Sequence, residues 1–323
     1  MTSLPVIIAI PARNEADRIG ACLTAIAAQP DAGSHIAGVV VFANNCTDET
    51  AAAAAAVDTP FPLHVIAAQL PPIRAHIGHA RRGAIDAAFD CLMAAGRSDA
   101  IIAGTDADSR VAPGWLAALL AAFSGDVDAV CGAIDLDGTV PPGLAAVRAA
   151  EAAYAETTAR AAAQLDPLPH DPWPNHIWCW GANLAVRARV LADVGGSPLV
   201  DLAEDRALHA VLLRSGARIR HSQAARVLTS ARADGRAPGG FADLMTSYAD
   251  DPAALADFWL EPAALTFTRA SQRGAARLDW GRHPGFGEHW AAHEAETPAL
   301  APQRVAIADL PAEGARLERL IAA

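Results

Sequence analysis

The segment IIAGTDADSR, Ile101–Arg110, is where the reading of this chain begins. Two β-branched residues and a small pair describe a short buried strand, and the strand leads straight into Asp106 and Asp108. Side chains two residues apart lie on one side of an extended backbone. The two carboxylates therefore converge, and they repel unless something positive lies between them. A hard divalent cation with oxygen ligands meets that need.

Working outward, the same kind of unit recurs toward the N-terminus. Val6–Ile10 is β-rich and is followed by Pro11 and an amphipathic pattern, Ile19, Cys22, Leu23 and Ile26, that predicts a helix. Val39–Phe42 predicts a second strand, ahead of an alanine run to Ala56 capped by Thr47 or Asp48. Leu63–Ala67 predicts a third strand and Ile77–Ala95 its helix. Strands alternating with helices predict an α/β protein with a parallel sheet, whose ligands sit outside the strand carboxyl ends. Asp106 and Asp108 stand at such an end.

Toward the C-terminus, Pro113–Phe123 predicts a helix, Ala129–Ile134 a strand and Gly143–Gln164 a long Ala-rich helix. Asp166–Pro174 carries four prolines and reads as an exposed or lid-like loop. Ile177–Val186 reads as a strand interrupted at Gly181, Arg189–Val194 as a short helix, and Leu202–Ser215 as a helix starting near Glu204-Asp205. Ala217–Arg220 and Arg226–Thr229 read as two short strands. Beyond Ala231 the sheet signal fades, the Gly/Pro-rich Gly235–Gly240 reads as a second lid, and helical stretches run to Ala323.

Composition narrows the function. All 25 basic residues are Arg, 36 residues are acidic, and the net charge of −11 disfavours nucleic acid or an anionic membrane as a bulk partner. No apolar run reaches the length of a membrane span, and Met1–Ile10 lacks a basic leader and a cleavage pattern, so the expected compartment is the cytoplasm. Cys22, Cys46, Cys91, Cys131 and Cys179 are scattered without a zinc or disulfide spacing and read as small buried residues.

Four further groups could carry chemistry. PARNE, residues 11–15, puts polar side chains at the first strand's carboxyl end, or simply caps a helix through Asn14. Arg74, Arg81 and Arg82 around Gly78 put cations at a helix start, where amides favour an anion such as a diphosphate; a solvated basic face is the alternative. Trp178, Trp180, Gly181 and Asn183 join flat apolar faces to an amide, a combination suited to sugar rings or to a core. Glu204-Asp205 is a helix cap and also a place where a general base could stand.

In order, PARNEADRI, ANNCTDET, TDADS, WGANLAVRARVLADVGG and AEDRALHAVLLRSGARI resemble the family 2 glycosyltransferases, inverting enzymes of the GT-A fold, over residues 5–232. The resemblance implies a Rossmann-like, mostly parallel central sheet flanked by helices, with a helical C-terminal extension. It divides the chain into a glycosyltransferase domain at 1–234, with a nucleotide-binding half to about 110 and an acceptor half beyond, and a C-terminal subdomain at 235–323. It implies a nucleotide-sugar donor, a small-molecule acceptor and a divalent cation, Mn or Mg. Pro11, Ala12, Arg13, Asn14, Glu15, Asn44, Arg81 and Asp106 would contact the donor, and Asp108 with Asp106 the metal. Asp205 would deprotonate the acceptor hydroxyl, with Trp180, Gly181, Asn183, Glu204 and Arg232 around the acceptor. The chain departs from the family where paired acidic residues give way to Ala43 and Asn44, which leaves the base open. It also has Thr229 where a late metal-binding His is often found, with His221 as the candidate substitute. VLTSARADGRAPGGF, 227–241, is similar to soluble GT-A enzymes that glycosylate phosphorylated acceptors, some of them retaining, with Arg232 and Arg236 as candidate phosphate ligands. A nucleotidyltransferase would need a glycine-rich basic loop after the first strand, which PARNEAD lacks; a degenerate nucleotide-binding homologue is the non-catalytic alternative.

Overall fold

The computed structural model describes residues 4–232, 254–281 and 283–323. Among them one eight-stranded sheet runs in the order β3-β2-β1-β4-β7-β6-β8-β5. Its strands are β1 (Val6–Ala12), β2 (Ile36–Asn44), β3 (Leu63–Ala68), β4 (Ile101–Gly104), β5 (Ser109–Val111), β6 (Ala129–Asp137), β7 (Leu184–Arg187) and β8 (Ile219–Ser230). β1 pairs in parallel with β2 and β4, and β2 with β3, as the strand-helix alternation predicts. The second half is mixed, because β7 runs antiparallel to both β4 and β6 and β5 runs antiparallel to β8. The two short strands expected at 217–229 are one strand whose ladder with β6 is interrupted between Gly132 and Ala133.

β1 is buried along its whole length, as a strand covered on both faces must be. Its even-numbered residues Ile8 and Ile10 join Ile19, Leu23 and Ile26 of α1 (Ala16–Ala27) and Trp115, Leu116 and Leu119 of α2 (Trp115–Ala122). Its odd-numbered Ile7 and Ala9 join Ala84, Ile85 and Leu92 of α3 (Ile77–Ala94) and Leu208 and Leu212 of α4 (Glu204–Arg214) on the other face. The result is three layers, helix-sheet-helix. The carboxyl ends of β1, β2, β4, β6 and β8 all reach one edge, where β7 begins.

The C-terminal part is helical, as expected, and packs on the long α5 (Pro142–Leu165). Tyr154 and Ala161 of α5 share a core with Leu260 and with Leu310 and Leu317 of α6 (Leu310–Ala322). Two buried carboxylates tie the parts together. Glu151, fully buried, accepts from Arg148 at 2.6 Å and from the Asp257 amide at 2.9 Å. Asp166 accepts from Arg273 at 2.6 Å and Arg277 at 2.7 Å, both on α7 (Ala263–Trp280).

That last contact refines one expectation. Asp166–Pro174 lacks regular structure and its four prolines are exposed, as expected, but it is anchored to the core, because Asp166 and Asp171 are buried and bonded, as is the adjoining Asn175. Proline forbids helix and strand ladders, while the two carboxylates satisfy neighbouring polar groups and tie the loop down. Gly235–Gly240, Arg236 and the 234/235 boundary lie outside the described residues or at their margin.

Candidate active site

The strand edge gathers predicted residues from seven segments of the chain. β4 ends at Gly104, and Asp106 and Asp108 follow in a tight turn closed by the Ser109 amide on the Asp106 carbonyl at 3.0 Å. The aspartates therefore converge through a turn, in place of the extended backbone expected from their spacing. Burial first, then the charge of Asp106 and that of Glu15, push Asp108 up to about 6 against the pull of Arg232. A carboxylate so crowded is short of positive charge.

Arg81 organises the centre. It is 6% exposed on the inward face of α3, its Nε donates to Glu204 at 2.7 Å, and its two terminal nitrogens donate to the Gly181 carbonyl at 3.0 Å and Asp106 at 2.8 Å. Burial disfavours its charge, but Asp106 and Glu204 more than offset this and hold it protonated. A charged guanidinium with three protein acceptors is a rigid clamp. Arg82 faces Asp86 and the Gly195 and Ser197 carbonyls, so the basic pair splits between two walls.

Gly181 and Asp205 meet on the second wall. The chain passes through a 3-10 turn at Gly181–Asn183, and a Cβ on Gly181 would lie 2.6 Å from the Arg81 guanidinium carbon. The Gly181 amide donates to Asp205 at 3.0 Å, and the Arg206 amide donates to the other oxygen at 2.7 Å. Ala203, in the left-handed region at φ 59°, turns the chain so that Glu204 and Asp205 enter α4 with separate partners. Burial and the adjacent Glu204 push Asp205 above the usual carboxylate range. A continuous chain of contacts thus runs Asp205, Gly181, Arg81, Asp106.

On the β1 side of that edge, Pro11 and Ala12 are buried at the end of the strand. Asn14, at φ 54°, accepts from the Thr47 amide at 2.8 Å, and Arg13 donates to the Ala75 carbonyl at 3.1 Å. Asn44 is 2% exposed at the end of β2, with its amide oxygen buried and without a hydrogen-bond partner among the described residues. Asp48, and not Thr47, caps the following helix by accepting from the Thr50 amide at 3.1 Å. Glu15, 5% exposed, is gripped by both terminal nitrogens of Arg232, one at 2.9 Å, and Arg232 also lies 3.2 Å from Asp108.

Three expected roles change. Arg232, anticipated around the acceptor, stands between Glu15 and Asp108, because β8 delivers it to the same edge as β1 and β4. Asn183, anticipated as a sugar ligand, accepts from Trp115 at 3.0 Å and donates to the Ala133 and Ala225 carbonyls at 2.8 and 2.9 Å. Its amide joins β6, β8 and α2, which leaves no free donor for a ligand. His221, the candidate third metal ligand, pairs with Cys131 of β6, whereas Thr229, opposite Leu136, reaches Ser109 at 2.9 Å. Five residues of β6 separate them, about 16 Å of strand. Trp180 stacks on Trp178 with ring centres 4.8 Å apart, beneath Arg148.

The sequence reading singled out Thr229 by its strand-end position but not Ser109, which bonds to it across the β5–β8 pairing. Among the described residues no helix is long and apolar enough to cross a membrane. The family model for glycosyl transferase family 2 matches residues 7–174, about half of the chain. A search of curated proteins found no match. Among solved structures, S. aureus TarS 1–349 is similar at 18% identity over 70% of this chain and 60% of that one, with a TM-score of 0.48. Glucosyl-3-phosphoglycerate synthase from Mycobacterium tuberculosis, solved with Mn2+, UDP and phosphoglyceric acid, is similar at 16% identity over 76% of this chain and 77% of that one, TM-score 0.46. Mannosyltransferase PcManGT from Pyrobaculum calidifontis, solved with GDP-Man and Mn2+, is similar at 18% identity over 98% of this chain and 88% of that one, TM-score 0.46. The chain thus spans less than two thirds of the TarS piece.

Proposed function

The chain belongs to glycosyl transferase family 2, and we propose that this glycosyltransferase moves a sugar from a nucleotide-diphosphate donor to a small acceptor with inversion. The observation that carries the reading is the placement of two unlike carboxylate groups at one strand edge. Glu15, Asp106 and Asp108 crowd together on one side, and Asp205 is held singly on the other, linked to them through Gly181 and Arg81.

The crowded group fits a divalent cation. Asp108 supplies a hard oxygen donor whose raised affinity for a proton reports unmet negative charge, with Asp106 beside it. A bound cation would neutralise charge on the departing diphosphate. Arg81 fixes Asp106 so that one carboxylate oxygen is already oriented when the donor arrives. Asp205 accepts the proton of the acceptor hydroxyl while that oxygen bonds to the anomeric carbon and the bond to the diphosphate oxygen breaks. Amide donors on both of its oxygens restrain its orientation, and its raised pKa makes it a better base than an ordinary aspartate.

The test is a calorimetric and thermal-shift panel of UDP-, GDP- and other nucleotide sugars with and without Mn2+ or Mg2+, followed by NMR of the product. One donor class should bind only with the cation, and the product should have the opposite anomeric configuration. Cation-independent binding, or retained configuration, would overturn the cation role or the inverting mechanism respectively.

A further inference from the structure

Behind the strand edge, on the sheet face that α4 covers, three chemically matched side chains from distant positions meet. Cys131 of β6 and His221 of β8 are register partners in the parallel ladder, and His209 comes down from α4. The thiol sulfur and one nitrogen of each imidazole all lie within 4.8 Å of one another. Cys131 is fully buried and His209 is 6% exposed. Nε2 of His209 and Nε2 of His221 are both buried without a hydrogen-bond partner among the described residues. A buried polar atom left unpaired is costly, so two beside one thiol call for a ligand.

The surroundings are those of a metal-binding imidazole. Asp171 Oδ2 lies 2.8 Å from His221 Nδ1, while its Oδ1 accepts from the His221 amide at 2.8 Å. A carboxylate on the far nitrogen orients an imidazole and turns Nε2 toward a metal. Cys179, also fully buried, belongs to the same core cluster as Cys131 and helps to exclude solvent from the group. Trp259 packs edge-on against His209 at 5.0 Å and closes the outer side.

We propose that Cys131, His209 and His221 bind one Zn2+ ion, in a site separate from the aspartates at the strand edge. Thiolate and imidazole favour zinc, whereas the oxygen-only group at Asp106 and Asp108 favours Mn or Mg. Small side-chain rotations bring the donors to the usual distances, about 2.3 Å for sulfur and 2.0–2.1 Å for nitrogen. Binding releases the Cys131 thiol proton to solvent and oxidises nothing. His209 lies one helical turn beyond Asp205, so the ion pins to β6 and β8 the helix that presents the base.

Elemental analysis of the full chain, purified without a polyhistidine tag and incubated with zinc, tests this directly. One zinc per chain is expected, with a melting temperature that falls on chelation and returns on adding zinc. Cys131→Ser and His209→Gln should each bring the stoichiometry near zero, while Asp108→Asn should keep one zinc, which separates this ion from the donor-site cation. Co2+ should give a sulfur-to-metal charge-transfer band in the wild type, a readout that does not depend on any variant folding. A wild type with no bound zinc and no such cobalt band, or folded variants that retain zinc, would overturn the proposal.

Discussion

At the scale of single residues, charge crowding makes Asp108 a liability to the fold that its proposed function requires. Its pKa of about 6, raised from 3.8 by burial and Asp106, means that the folded chain binds this proton more tightly than the unfolded one. The cost is therefore absent below pH 4, grows through pH 6 and is complete above pH 7. Asp108→Asn should stabilise the metal-free protein at pH 8 by about 1–3 kcal/mol, with the gain vanishing near pH 4. The same change should abolish Mn2+-dependent donor binding, and denaturant titration at the two pH values with calorimetry checks both. At the opposite wall, Asp205→Asn should keep donor binding and lower turnover about 10²–10⁴-fold. Glu204→Gln should act differently, because Glu204 faces Arg81: a weaker clamp on Asp106 should appear as poorer donor binding. Equal turnover in Asp205→Asn and wild type would exclude the base assignment.

At the scale of elements, glycine at 181 lets two walls touch. Any Cβ there would meet the Arg81 guanidinium, so Gly181→Ala should displace Arg81 from the Gly181 carbonyl and Asp106 together. The expected outcome is a loss of donor affinity with a smaller loss of stability, read by calorimetry and melting temperature. The contact between the 166–174 loop and α7 is a second such joint. Asp166 is held below its usual range chiefly by Arg277 and Arg273 against the opposing effect of burial, so its contribution is present above about pH 4 and is lost as pH falls through the folded value. Asp166→Asn should cost stability at pH 7 and flatten the acid limb of the stability curve; an unchanged acid limb would show that the joint is not ionic.

At the scale of the whole molecule, the C-terminal helices share one core with α5. Leu317, fully buried on α6 with Tyr154 and Leu260, should cost about 2–5 kcal/mol when changed to Ala. If the helical extension and the sheet unfold as one unit, that loss should shift a single transition, coincident by circular dichroism and by tryptophan fluorescence. Two separated transitions would show that the extension is an independent unit.

Much of this molecule was legible locally. Alternating hydrophobic periods predicted β1 to β4 and their helices, because strands covered on both faces read as continuous apolar runs and their helices carry one apolar stripe. Turns after strand ends then put PARNE, Asp106, Asp108 and Glu204-Asp205 at one edge, since a parallel sheet presents all its carboxyl ends together. What the sequence by itself could not determine is which side chains those ends bring into contact. Arg232 reaches Glu15 across 217 positions, and Arg81 reaches Glu204 across 123, through pairings set by strand order alone. The proline-rich 166–174 loop read as solvated from its composition, and its prolines are exposed; its anchoring follows only from Asp166 and Asp171 finding partners on α7 and β8. Cys131, His209 and His221 show no metal spacing along the chain for the same reason: only the β6–β8 register and the descent of α4 place their donor atoms within 4.8 Å.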